Sequence, residues 1–342
     1  MKLSDIITFA RTHNLLSLNR ITSDMQVAIR MHFLYAAIES GLLEALRTPR
    51  SREELIHQLE VQRPEILDAL LDVGCALKEL ACQHSHYRII GKRSLSLVGR
   101  DGDILAAIVQ ASTTYYCSVY QHAPERLRGA PSGPYLEEIG DIVARIGKIT
   151  EPFVQGFVRD TVAGKGKLWL LDVGCGSGIY LRTARTANPH VSGIGIDMDA
   201  TVVQQARDNL AQWGLSEHFT IIAGDIRHPP PDLQRPFDVI NLSNIIYYFS
   251  PEERTSLFHT LREMLGSGGV LAMVSNVQSR GTDVVSANLN MATSSMIGCT
   301  PLPDLDSLQQ QIQACGFSEV RATRLVPGSA FYGITAQRPS TS

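Results

Sequence analysis

Leu170-Leu171-Asp172-Val173-Gly174-Cys175-Gly176-Ser177-Gly178 is the stretch from which the fold is read. An apolar run of strand length ends in an acid, a turn with three glycines follows, and a helix begins. Glycines belong in such a turn when a ligand must lie almost against the backbone, where a Cβ would hold it off. The dinucleotide fingerprint G-x-G-x-x-G places its third glycine at position 179. Here that glycine comes one residue early and position 179 is Ile. Asp172 repels a pyrophosphate but suits a cation. A second acid ends the next strand, Gly193-Ile194-Gly195-Ile196-Asp197, 21 residues beyond Gly176. At that spacing a carboxylate accepts hydrogen bonds from ribose hydroxyls.

Outward from this turn, apolar strands alternate with helices. Strands are predicted at Trp169–Val173, Ser192–Ile196, Phe219–Ala223, Phe237–Leu242 and Val270–Ser275. The helix after Asp199 carries Val202, Val203, Ala206 and Leu210, and the one after Pro251 carries Leu257, Leu261 and Leu265. A helix at Leu305–Cys315 precedes Val320–Leu325 and Phe331–Ala336, which pair as an antiparallel hairpin. The expectation is an α/β fold: a mostly parallel, seven-stranded sheet with helices on both faces, spanning 166–342.

Residues 1–100 read as helices and a small hairpin. Met25–Leu46 has apolar residues at helical spacing, Ser51 caps a helix with Glu53 and Glu54 in its first turn, and Pro64 opens a third. Tyr87-Arg88-Ile89-Ile90 before Gly91 is one hairpin arm. The outline is that of a winged helix. Residues 101–165 are again helical, with the aromatic stretch Ser112–His122, a turn over Gly129–Pro134 and one helix from Tyr135 to Val162.

Composition narrows the function. The chain has 342 residues, 44% apolar and 19% charged, enough for two cored domains. A net charge of −3 argues against a nucleic-acid surface. Cys75, Cys82, Cys117, Cys175, Cys299 and Cys315 show no metal spacing, so reduced thiols and no metal site are expected. The opening MKLSDIITFARTHN lacks the apolar core of an export signal, and no window is long enough to span a membrane. A cytoplasmic protein without membrane contact is expected.

Taken together, the glycine turn and its two flanking acids resemble the cofactor motifs of the class I, Rossmann-like methyltransferases. Gly224-Asp225-Ile226 after the third strand extends the match, as do Phe237–Asn244 and Leu265–Leu271. The resemblance implies S-adenosylmethionine as cofactor, held by Asp172, Gly174, Gly176, Gly178 and Asp197. It implies Met198 and Ile226 against the adenine, Asp225 on its amino group, and Asn241 and Ser243 near the methionine part. The layout of the whole chain is similar to two-domain small-molecule methyltransferases of secondary metabolism, whose N-terminal winged helix makes a homodimer and whose middle helices roof the acceptor pocket. A regulator using that winged helix on DNA or protein is the competing reading, and a nicotinamide-dependent reductase a third. Pro64–Leu77 carries acids instead of a basic recognition surface, which favours the enzyme.

One position departs from that group. Its O-methyltransferases place a His as general base after the fourth strand, and alignment puts Tyr247 there. A phenol with pKa near ~10 is a poor base at neutral pH. Three explanations stay open: Tyr247 orients the acceptor, His122 supplies the base, or the acceptor atom (O or C among them) needs little help. The stretch 276–303, with Asn288, Asn290, Met291 and Met296, is expected beside an apolar acceptor.

Overall fold

A computed structural model describes residues 12, 14–233 and 236–340. Most of the opening stretch read for an export signal, residues 1–11 and 13, lies outside them. The chain forms two compact units. One runs to His122 and adds Glu137–Ile149, and the other holds Ala123–Leu136 and everything from Thr150. The helical segment 101–165 is therefore shared between both units.

In the first unit, α1 (Leu15–Glu39) starts at Asn14, whose side chain accepts from Ser17 N–H. Only its C-terminal part is buried, through Phe33, Leu34 and Ala37. Ser51 and Glu54 form a reciprocal capping box that opens α2 (Arg52–Gln58), and Pro64 sits in the first turn of α3 (Pro64–Ala76). These helices enclose Leu42, Leu55, Leu71 and Leu80. A three-stranded antiparallel sheet, β1 (Arg50–Ser51), β3 (His86–Ile89) and β2 (Leu80–Gln83) in that order, completes the expected outline. His84 and Ser85 make its two-residue turn with both φ positive, at 50° and 62°, the backbone twist that matches right-handed strands. Helices α4 (Gly102–Thr113) and α5 (Tyr115–Gln121) follow.

The single helix expected over 135–162 is two: α6 (Tyr135–Gly147) and α7 (Glu151–Val162). Pro152 explains the break, because its ring and missing N–H are tolerated only in a first helical turn.

The second unit is built on the seven-stranded sheet. Its order is β6 (Phe219–Ala223), β5 (Val191–Asp197), β4 (Leu168–Val173), β7 (Phe237–Ser243), β8 (Leu265–Asn276), β10 (Phe331–Gln337) and β9 (Ser318–Arg324). Strands β4 to β8 pair in parallel, while β10 runs antiparallel to both neighbours. Alternation along each strand divides the core. Leu171, Val173, Ile240 and Leu242 face one cluster with Leu257, Phe258 and Leu261 of α10 (Pro251–Met264) and Leu308 of α12 (Leu305–Ala314). Leu170, Val239 and Val274 face the other, with Val154 and Val158 of α7, Leu181 of α8 (Ile179–Ala187) and Val203 of α9 (Ala200–Gln212). Burial on both faces is what a parallel sheet requires. A further helix, α11 (Val284–Thr293), follows β8. Strand order reverses at β4, so the crevice outside the carboxyl ends of β4, β5 and β7 is where a ligand binds in such a sheet.

Candidate cofactor site

The turn after β4 is shaped by left-handed glycines. Gly174 has φ +67°, and a Cβ there would meet the Ile245 side chain at 2.8 Å. Gly176 has φ +52°, and a Cβ there would meet nothing within 4 Å, so open space lies over that turn. Gly178, also left-handed, is the N-cap of α8.

Beneath the turn, Asp172 is 1% exposed. Ser243 Oγ donates to Asn241 Oδ1 at 3.3 Å, and Asn241 Nδ2 donates to Asp172 Oδ1 at 2.6 Å. Asp172 Oδ2 is buried without a hydrogen-bond partner. Burial pushes the Asp172 carboxyl up to about 7; the Asn241 hydrogen bond works against the rise and the Asp197 charge adds to it. A buried carboxylate oxygen with no donor is costly unless something cationic or hydrogen-bonding completes it. Asn241 and Ser243, expected beside the methionine part, spend their side chains on this relay.

Asp197, at the end of β5, is fixed by its own backbone surroundings. Its Oδ2 accepts from Gly176 N–H at 3.0 Å and its Oδ1 from Asp199 N–H at 3.1 Å. A carboxylate offers about four lone-pair sites, so two acceptor positions remain for a pair of hydroxyls. Gly174, Asp197, Met198, Asp225 and Ile226 line one cavity of about 420 Å³. It also takes in Arg227, Ile245, Tyr248, Phe249 and Gly298, which sequence reading missed. For Arg227 a local signal existed: Asp225 Oδ1 accepts from Arg227 N–H at 2.9 Å, an Asx-type turn that an acid two residues upstream favours. Gly298 carried no such signal, because only the fold brings it there.

The orphaned Asp172 oxygen, the unfilled space over Gly176 and the free acceptor capacity of Asp197 fit a nucleoside carrying positive charge. A pyrophosphate would be repelled by the Asp172 oxygen.

Tyr247 and Tyr248 lie in a short 3₁₀ turn after β7, with ring centroids 4.8 Å apart. The Tyr247 carbonyl accepts from Thr300 N–H at 2.8 Å, which pins the turn to the 299–301 segment. Burial pushes the Tyr248 phenol up to about 12, with Cys299 and Asp197 adding and the hydrogen bond to Tyr247 opposing. Tyr248 therefore keeps its proton at neutral pH. His122 caps the end of α5 in the first unit, where it is exposed and its Nδ1 lies 2.9 Å from the Ser118 carbonyl oxygen. Asn290 Oδ1 accepts from Leu302 N–H at 2.8 Å, and Met296 is buried. Both hold the 276–303 segment in place.

Residues 170–269 match a family model described as a methyltransferase domain. The chain is 26% identical over 275 residues to 3-hydroxy-5-methyl-1-naphthoate 3-O-methyltransferase of Streptomyces sahachiroi, covering 75% of this chain and 78% of that protein. The solved structure of the mitomycin 7-O-methyltransferase MmcR aligns with a TM-score of 0.79 at 14% identity, over 97% of this chain and 99% of that one. An O-methyltransferase family protein from Burkholderia thailandensis aligns at 0.75 and 16%, over 96% and 99%.

With the motif match and the crevice together, the chain is an S-adenosylmethionine-dependent methyltransferase whose matched domain lies at residues 170–269, on a Rossmann-like sheet. The whole chain shares the fold of these two O-methyltransferase structures.

Proposed function

We propose that the protein methylates an oxygen or activated carbon of a small, largely apolar acceptor of secondary metabolism, in the cytoplasm and as a homodimer. The observation that carries this is the likeness to a naphthoate O-methyltransferase over three quarters of the chain, helical region included. Among the described residues no helix is long and apolar enough to cross a membrane.

When bound, S-adenosylmethionine supplies a methyl group on a sulfonium, which a nucleophile displaces in line. The chain's own residues bind and exclude. Asp172 offers its unpaired oxygen to positive charge, Asp197 receives the ribose hydroxyls, and Asp225, Ile226 and Met198 take the adenine end. Gly174, Gly176 and Gly178 keep the backbone close. Tyr247 acts as an orienting group, since a phenol is a weak base at neutral pH. His122 is the alternative proton acceptor. The test is incubation with S-adenosylmethionine and a panel of phenolic and naphthoic acceptors, read as S-adenosylhomocysteine release and a methyl mass gain. Cofactor binding without turnover on any acceptor, together with a DNA mobility shift, would favour the regulator reading instead.

The dimer reading is supported by α1. Leu18, Ile21, Met25 and Ile29 are exposed, at 47%, 69%, 53% and 40%, and their spacing puts them on one side of the helix. A contiguous apolar surface on one helix marks an interface. Light scattering after gel filtration is expected to give twice the chain mass, and Ile21→Glu with Met25→Glu to give the monomer. A monomeric wild-type protein would remove the reading.

A further inference from the structure

We propose that Arg227 is a positioning residue that holds the Asp225 carboxylate and the Tyr248–Phe249 segment as one wall at the nucleoside end of the cofactor cavity. The guanidinium is a planar fork of N–H donors, and here each edge has a separate partner. Nη1 lies 3.3 Å from Asp225 Oδ2, in the loop after β6. Nη2 donates to the Tyr248 carbonyl at 2.7 Å, in the turn after β7. Nε donates to Glu253 Oε1 at 3.1 Å, and Glu253 is also the capping-box residue of α10. The flat face lies 4.3 Å from the Phe249 ring centroid, a cation–π approach.

Three elements that meet only through the fold are thus tied at one side chain, and Asp225, Arg227, Tyr248 and Phe249 all line the cavity. The ion pairs themselves are partly exposed, so their charge attraction is screened and contributes little. What Arg227 supplies is geometry. Asp225 is acceptor-only when ionised and already serves Arg227 through both oxygens. Its remaining lone pairs therefore point in directions that Arg227 sets. A lysine cannot reproduce this, since an ammonium is a point charge without a fork or a stacking face.

The inference rests on the proposed placement of the nucleoside between Asp197 and Asp225, and the experiment separates the two. Titrating S-adenosylhomocysteine into wild type tests the placement: no binding removes both statements. If wild type binds, Arg227→Met is expected to weaken that binding roughly tenfold or more. Arg227→Lys is expected to recover only part of the loss. In turnover the loss should fall on the KM for S-adenosylmethionine with kcat retained at saturation, because the nucleoside end is remote from the reacting sulfur. Affinity within about threefold of wild type for Arg227→Met, or full recovery by Arg227→Lys, overturns the proposal. A thermal melt of the unliganded variants guards against simple loosening. A kcat that falls in step with the melting temperature would mean a merely structural role and would also overturn it.

Discussion

Asp197→Ala is expected to weaken S-adenosylhomocysteine binding by about 100- to 10,000-fold, read by isothermal titration. The size follows from the count of hydrogen bonds. A fixed carboxylate receiving two hydroxyls loses two charge-assisted bonds at once, each contributing about 1.5–3 kcal/mol. The Asp197 carboxylate is already oriented by Gly176 N–H and Asp199 N–H, so little ordering opposes its binding. The same two backbone groups lose their acceptor in the variant. A thermal melt of the unliganded protein must therefore accompany the titration, and Asp197→Asn, which retains one carbonyl oxygen, should lie between wild type and Ala. Binding by Asp197→Ala within about threefold of wild type would sink the cofactor assignment at this strand end.

Asp172→Asn should pull stability and binding in opposite directions. An acid whose folded pKa of about 7 lies above an unfolded value near ~4 holds its proton better when folded. Stability is therefore greatest below pH ~4, falls as pH rises from ~4 to ~7, and has lost the whole contribution above that. The shift bounds that loss at about 4 kcal/mol. Asn carries no charge to bury, although its amide replaces the orphaned oxygen with an orphaned donor. The net gain at pH 8 is thus roughly 2 kcal/mol or less, seen as a melting temperature a few degrees higher than wild type. At pH 4 the two proteins should melt together. Cofactor affinity should fall by ~100-fold, because a neutral amide cannot complete a cation. In wild type, binding of S-adenosylmethionine at pH ~6.5, just below the folded Asp172 pKa of about 7, should release protons, visible as heats that differ between buffers. Equal melting of both proteins at pH 8 and buffer-independent heats would together refute the view of Asp172 as a carboxylate awaiting a cation.

How much of this was readable beforehand depends on how local each feature is. The strand, glycine turn and helix around Asp172–Gly178 follow from neighbours in sequence, and so do the acid ending β5 and the capping of α2 and α10. Five strands of the large sheet were visible as apolar runs and the last two as a hairpin pair, although β9 alternates with Glu319, Arg321 and Thr323. The partner of Asn241 was not. Its place opposite Asp172 is a matter of sheet register between β4 and β7, set by residues 69 apart. The Asp225–Arg227 turn was readable locally, but the other partners of Arg227, 21 and 26 residues away, were hidden for the same reason. The His84–Ser85 turn lacks the Asn and Gly that usually announce two positive φ angles, so its strands were easier to foresee than its corner. Pro152 was in plain view, yet the apolar periodicity on either side of it suggested one helix. The proline's steric effect on the preceding turn prevailed.

The place of β10 has a consequence for how the chain matures. This strand follows β9 in sequence yet sits between β8 and β9, so β9 has no seat until residues 331–337 arrive. From the emergence of residues 265–276 until residues 331–337 follow, β8 is an open border with unpaired backbone groups, the kind that recruits foreign strands. Protection of the nascent polypeptide against clumping is therefore needed until β10 slots home.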